Sequence, residues 1–334
     1  MNAARPAGRQ PADQVTMRRS NLALVLRHLR DAGSRSRARV AVETGLNRGT
    51  VSSLIAELID RGLVREGDVE RGGSVGRPGQ TVELDGRGIG GVGVEINVDY
   101  VIAVVLVLTD TVVFEHRVVL DVQALPAETV LDAVTELTIR ALAACEEQEV
   151  TPVGMTLAVP ALVGTDDGVV AFAPNLHWTT VDAVAGLRQR LAGPRRLPAR
   201  QLPIKVDNDA NLAALGEFAM GGRAGTAELV HLTGETGVGG GVMVGGRLLR
   251  GAAGFSGEIG HMPLNPGGDL CGCGRRGCWE TMVGLSALLR MAATPDDPVR
   301  DPALGFTAAA RGGAHVALEA VLDDPTLVAV RHGA

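Results

Sequence analysis

Aromatic side chains are scarce: Phe, Trp and Tyr together make up 2% of the 334 residues. Any core must therefore close on Val, Leu, Ile and Ala. Cysteine is scarce too, with 4 in the chain, which argues against the disulfide framework that staples small secreted domains. Long apolar runs are missing. The longest, Val101–Leu108, falls far short of the roughly 20 residues that cross a bilayer. No charged-then-apolar leader opens the sequence, so a cytoplasmic location is expected. Lysine is absent from the first 84 residues, where arginine carries all the basic charge.

Charge is also unevenly placed. Residues 1–84 hold 14 Arg against 9 Asp+Glu, or +5, whereas the remainder holds 18 Lys+Arg against 29 Asp+Glu, or −11. A basic front on an acidic body suggests that the front alone meets a polyanion, the plain alternative being a solvated face. Apolar content of 46% is ample for buried cores, and 334 residues suggest two or three domains.

Residues 1–17 lack periodicity and read as a tail. Ser20 is a candidate N-cap for a helix with Leu22, Leu26 and Leu29 on one face, ending near Gly33. A second helix is expected over about 36–44, with Val40 inward. Gly45 makes the turn, and Asn47 caps a third helix reaching Arg61 that buries Val51, Leu54, Ile55 and Leu58. Gly62–Glu66 and Thr81–Leu84 read as strands around a Gly-rich loop. Over residues 18–84 this order is a winged helix-turn-helix. The third helix then enters the major groove of double-stranded DNA by its amino end, offering Asn47, Arg48, Thr50, Ser52 and Ser53 to bases and phosphates. Arg77, between Gly and Pro in the wing, suits a narrow A·T minor groove. The alternative is a three-helix protein-interaction module.

From Gly91 the pattern changes. Val92–Ile96, Val101–Leu108 and Val112–Leu120 read as a three-stranded meander, 128–147 as a helix and Val153–Val159 as a further strand. A second set follows at Leu229–Leu232, Val238–Val244 and Arg247–Leu249. Val206-Asp207-Asn208-Asp209-Ala210-Asn211 leaves a strand and enters a helix over Leu212–Phe218. Polar residues at such a strand end face a cleft, although N-capping explains one of them.

Three of the cysteines, Cys271, Cys273 and Cys278, fall within eight residues, and His261 lies ten residues upstream of the first. Cys3His is an ordinary structural set for zinc. A metal-free loop or a redox pair is the alternative, though redox pairs are more often spaced Cys-x-x-Cys. Glu258 and Glu280 flank these ligands.

Glu258-Ile259-Gly260-His261 followed by Cys271-Gly272-Cys273-Gly274-Arg275-Arg276-Gly277-Cys278-Trp279-Glu280 resembles the signature of the ROK family, which unites bacterial sugar kinases with sugar-responsive transcriptional repressors. The resemblance implies a two-lobed, actin-like (ribonuclease-H-like, ASKHA) α/β body of sugar-kinase type over 85–334, with lobes at about 88–205 and 206–334. It implies a hexose pocket formed by Asn208, Asp209, Glu258, His261 and Glu280, with Asp209 the general base in the kinases. Ala173–Trp178 resembles the segment beside the sugar. Thr236, Gly237, Gly239 and Gly240 resemble a phosphate loop, whereas the first phosphate loop stands as Glu95-Ile96-Asn97-Val98-Asp99, without glycines and with carboxylates that repel phosphate. Beyond Glu280 the family's Gly-Gly turn for adenosine is not found, and the carboxyl end reads as shortened.

These features favour the repressor branch: a winged helix on operator DNA, as a homodimer or dimer of dimers, governed by a sugar effector in a pocket supported by structural zinc, with no catalytic residue and no membrane. The alternatives are an ATP-dependent hexose kinase and an inactive truncated paralogue.

Overall fold

Leucines at helical spacing organise the front of the chain. The computed structural model describes residues 14–69, 80–164, 168–192, 202–221, 226–285, 287 and 307–329. The chain divides into two compact units, 1–85 with 319–334, and 86–318.

In the smaller unit, α1 (Gln14–Ala32) buries Leu22, Val25, Leu26 and Leu29. After β1 (Arg35–Ser36), α2 (Arg37–Thr44) buries Val40 and ends at Gly45 in the left-handed conformation. Next, α3 (Arg48–Asp60) buries Val51, Leu54, Ile55 and Leu58, and Asn47 caps it by accepting from the Thr50 amide at 2.8 Å. β2 (Val64–Val69) and β3 (Gln80–Leu84) pair antiparallel as a wing, and β1 joins β3 on its other side. The wing loop with Arg77 lies outside the described residues. Ser20 is not a cap: α1 begins at Gln14, inside the expected tail, and the Ser20 hydroxyl donates back to the Thr16 carbonyl at 3.0 Å. Within this unit Arg30 pairs with Glu319 at 2.6 Å, Arg27 pairs with Asp323, and Arg61 donates to the Val328 carbonyl.

The larger unit is built on a five-stranded sheet. β4 (Ile89–Ile96), β5 (Tyr100–Val107) and β6 (Val112–Val119) form the expected antiparallel meander. α4 (Ala127–Glu147) carries the chain back to β7 (Thr151–Val159), which pairs parallel to β4. Three strands unforeseen in the sequence follow as a small antiparallel sheet: β8 (Leu162–Val163), β9 (Val169–Ala173) and β10 (Trp178–Asp182). α5 (Ala183–Leu191) leads on, and β11 (Ile204–Asn208) pairs parallel to β7. The order β11-β7-β4-β5-β6 is ribonuclease-H-like.

α6 (Asp209–Met220) starts at the residue after β11 and packs on β12 (Leu229–Gly234) and β13 (Val238–Val244), which β14 (Arg247–Leu248) extends. Among the described residues two further helices are α7 (Glu280–Val283) and α8 (Ala308–Asp323). Every residue of β4 and β5 is buried, as expected for strands covered on both faces. α4 covers one face. On the other lies α8, so close that a Cβ on Gly93 would sit 1.7 Å from the Ala310 carbonyl oxygen.

Candidate ligand pocket and metal centre

The chain leaves β11 and enters α6 at the edge of a cavity of about 310 Å3, within the range of small-molecule sites. Asn208, Asp209, Glu258, His261 and Glu280 all line it, drawn from a strand end, a helix start, a 3-10 turn over Ile259–His261 and the first residue of α7. Asn208 also caps α6, accepting from the Asn211 amide at 3.0 Å while its amide donates to the Ala161 carbonyl at 3.2 Å. The Asp209 carboxylate accepts from the Ala210 amide at 2.8 Å. Burial, reinforced by Glu235 and Glu258 and opposed by that bond, pushes Asp209 up to about 6. Glu258 is also raised, by burial first and then by Glu280, against the pull of His261. Asp207 turns away from this chemistry, because the Arg250 guanidinium grips it with its two terminal nitrogens at 3.0 and 2.5 Å.

Further lining comes from the 3-10 helix Pro174–Leu176, which brings Asn175 to the cavity, and from the turn between β12 and β13. Thr236, Gly237, Gly239 and Gly240 all line the cavity. Two of these glycines have packing reasons of their own. A Cβ on Gly240 would lie 2.3 Å from Ile259 Cδ1, and one on Gly239 would lie 2.9 Å from the Ala210 Cβ. Glu235 heads the same turn. It carries no motif signal, and sequence reasoning passed over it.

Behind Glu235 lies a buried polar knot. Glu95 is 4% exposed. Its Oε1 accepts from the Tyr100 hydroxyl at 2.7 Å, and its Oε2 has no partner. The Asn97 amide donates to Glu235 and lies 3.5 Å from Glu95 Oε1. Burial pushes Glu95 up to about 8, with Asp209 and Glu235 adding to the shift.

Beside the pocket, one ligand atom from each of His261, Cys271, Cys273 and Cys278 lies within 4.8 Å of all the others. The Cys273 and Cys278 sulfurs are 3.7 Å apart, and His261 Nδ1 is 3.5 Å from the Cys271 sulfur. Thiolates 2.3 Å from a tetrahedral zinc stand about 3.8 Å apart, so the donor set and its spacing fit the ion. Without a metal, burial pushes the Cys271 and Cys278 thiols up, and Cys271 donates to Glu280 at 2.7 Å.

In the smaller unit Asn47, Arg48, Ser52 and Ser53 are exposed at the amino end of α3 and Thr50 is half-buried. The Arg18 guanidinium reaches Ser53 at 3.3 Å and Glu57 at 2.7 Å.

A winged helix-turn-helix in one chain with a pocketed ribonuclease-H-like body defines a DNA-binding module on a sugar-kinase-type fold. The ROK family model matches residues 91–323, and the MarR family model, of the winged-helix type, matches 23–73. The chain belongs to the ROK family. It is 30% identical to the xylose repressor of Bacillus subtilis over 287 residues, 85% of this chain and 71% of that protein. Among solved structures, a ROK family transcriptional regulator homologous to the E. coli MLC protein shares the fold. Its TM-score is 0.65 at 22% identity, covering 91% of this chain and 76% of that one. A ROK family glucokinase from Streptomyces griseus, solved with glucose and AMPPNP, is 32% identical with a TM-score of 0.52, covering 61% of this chain and 60% of that one.

Proposed function

We propose that this chain is a transcriptional repressor of carbohydrate-utilisation genes whose grip on operator DNA is set by a sugar in the pocket of the larger unit. One observation carries the reading: Asn208, Asp209, Glu258, His261 and Glu280 converge on a single cavity in a chain that also bears a winged helix. Carboxylates accept from vicinal hydroxyls, while amide and imidazole can donate to ring and hydroxyl oxygens. Asp209, Glu258 and Glu280 do the accepting, and Asn208 and His261 the donating. In the smaller unit, Arg48, Thr50, Ser52 and Ser53 meet DNA in the major groove, with Asn47 holding the helix end and Arg77 entering the minor groove. The similarity to the xylose repressor over most of the chain supports the assignment. The protein would act in the cytoplasm, as a homodimer or dimer of dimers on paired half-sites.

Zinc completes the pocket. His261, Cys271, Cys273 and Cys278 would hold it, and its charge would keep the three thiols ionised and fix the 261–280 segment. The imidazole's second nitrogen is then left to face the ligand. The ion's role is structural.

A hexose kinase with Asp209 as base is the second reading, and the raised Asp209 carboxyl favours it. Against it stand Asn97 and Glu235, which line the cavity beside the Gly-rich turn, with Glu95 buried behind them. The deciding experiment is binding to DNA upstream of the chain's own gene and of neighbouring sugar genes, with and without a sugar panel, alongside an ATP-turnover assay. Specific binding altered by one sugar, with no turnover, is expected. Turnover without specific DNA binding would make the kinase reading the right one, and neither activity in folded, zinc-loaded protein would point to an inactive paralogue.

A further inference from the structure

We propose that Glu235, backed by Glu95 through Asn97, is a phosphate-excluding wall that restricts the pocket to neutral, unphosphorylated sugars and bars sugar phosphates and nucleoside triphosphates. The inference rests on the reading of this cavity as a sugar seat and names the class of ligand it admits.

The wall stands at the mouth of the Gly-rich turn, where backbone amides could otherwise approach an anion. Glu235 immediately follows β12, and its backbone amide donates to the Gly237 carbonyl at 3.0 Å, which holds the residue in the turn. The hydrogen bond made by its carboxylate comes from the Asn97 amide, a neutral donor. Asn97 also reaches toward Glu95 and donates to the Tyr100 hydroxyl at 3.1 Å, so one amide stands between two carboxyl groups. Such an arrangement delivers no positive charge to the cavity.

The wider lining repeats the pattern. Four carboxylates, on Asp209, Glu235, Glu258 and Glu280, face the cavity, against the one guanidinium of Arg275, which is exposed. Arg250 is taken up by Asp207. A neutral sugar meets these carboxylates as hydrogen-bond acceptors, whereas a phosphate brings two further negative charges against them in a partly desolvated space. Nor do the glycines imply a phosphate nest: the turn over Gly257–His261 and α6 fill the space behind Gly239 and Gly240.

Calorimetric titration of the full-length, zinc-loaded protein tests this. The ligands would be xylose, glucose and N-acetylglucosamine, with glucose 6-phosphate, N-acetylglucosamine 6-phosphate and AMPPNP as the anionic probes. The proteins would be wild type, Glu235→Gln and Glu235→Asp. In wild type, one neutral sugar binds and the anionic probes bind at least about 100-fold more weakly. Glu235→Gln narrows that ratio by at least about 10-fold, because it keeps shape and removes charge, while Glu235→Asp preserves the ratio. An anionic probe that bound wild type as tightly as any neutral sugar would overturn the wall. So would a ratio unchanged in a folded Glu235→Gln protein. Failure of every sugar, neutral or phosphorylated, would instead overturn the sugar seat itself and remove the premise.

Discussion

Glu95 lies where a charge is expensive, and that makes it a pH-sensitive residue. Its carboxyl is buried beside Asp209 and Glu235 and is raised from 4.5 to about 8. A carboxyl with a raised native value holds its proton more tightly folded than unfolded. Stability from this group is therefore fully present below about 4.5 and is lost as pH climbs through about 8, at a slope of at most about 1.4 kcal/mol per pH unit. Glu95→Gln, permanently neutral and of the same shape, should flatten that part of the curve and melt higher than wild type at pH 8.5. Identical melting temperatures for the two proteins across pH 5 to 9 would show that Glu95 does not titrate in this window. Cys273 tests the neighbouring cluster. Its sulfur lies 3.7 Å from that of Cys278, so Cys273→Ser takes one thiolate from a tetrahedral set. Bound zinc, measured by elemental analysis, should fall from one equivalent to substoichiometric, and the response of DNA binding to sugar should go with it. Full zinc occupancy in this variant would break the Cys3His assignment.

At the scale of elements, α8 and β4 show how little room the body leaves. Gly91 and Gly93 let the helix backbone lie directly on the strand: a Cβ would come within 2.1 Å of the Ala314 oxygen and 1.7 Å of the Ala310 oxygen, respectively. Backbone cannot yield as a flexible side-chain end can, so Gly93→Ala should destabilise the body by about 1–3 kcal/mol. It should also raise hydrogen exchange selectively in the amides of 308–318. An unchanged melting temperature with unchanged exchange would show that α8 does not seat on β4 in solution. Neither glycine announced this contact in the sequence, because its reason lies more than 200 residues away along the chain. The Val-rich meander was legible, since strands buried on both faces read as unbroken β-branched runs. Asn47 was legible as a cap because capping is local. β9 and β10 were not, with exposed and buried positions interleaved over five residues each. Ser20 misled, because a serine inside a helix can return its hydroxyl to the preceding turn. In the pocket the signature carried Glu258, His261 and Glu280, whereas Glu235 became visible only when folding brought it to Asn97.

Over the whole molecule the charge is split, +5 across residues 1–84 and −11 across the rest. An acidic body beside a polyanion contributes repulsion, so in the proposed complex DNA affinity would come from contacts made by the front, and above all from α3. In the proposed complex Arg48, exposed at the first position of that helix, would meet a phosphate. Each phosphate contact neutralised by a cation adds about 0.9 to the magnitude of the slope of log K against log salt. A homodimer on two half-sites makes every contact twice. Arg48→Ala should therefore reduce the slope by about 1.8 if two copies bind together and by about 0.9 if one copy binds alone. The affinity loss should be uniform across operator sequences. The measurement is a salt titration of operator binding by fluorescence anisotropy, for wild type and variant on the same duplex and on one with altered half-sites. An unchanged slope would remove Arg48 from the phosphate contacts. A loss confined to one half-site sequence would make it a reader of bases.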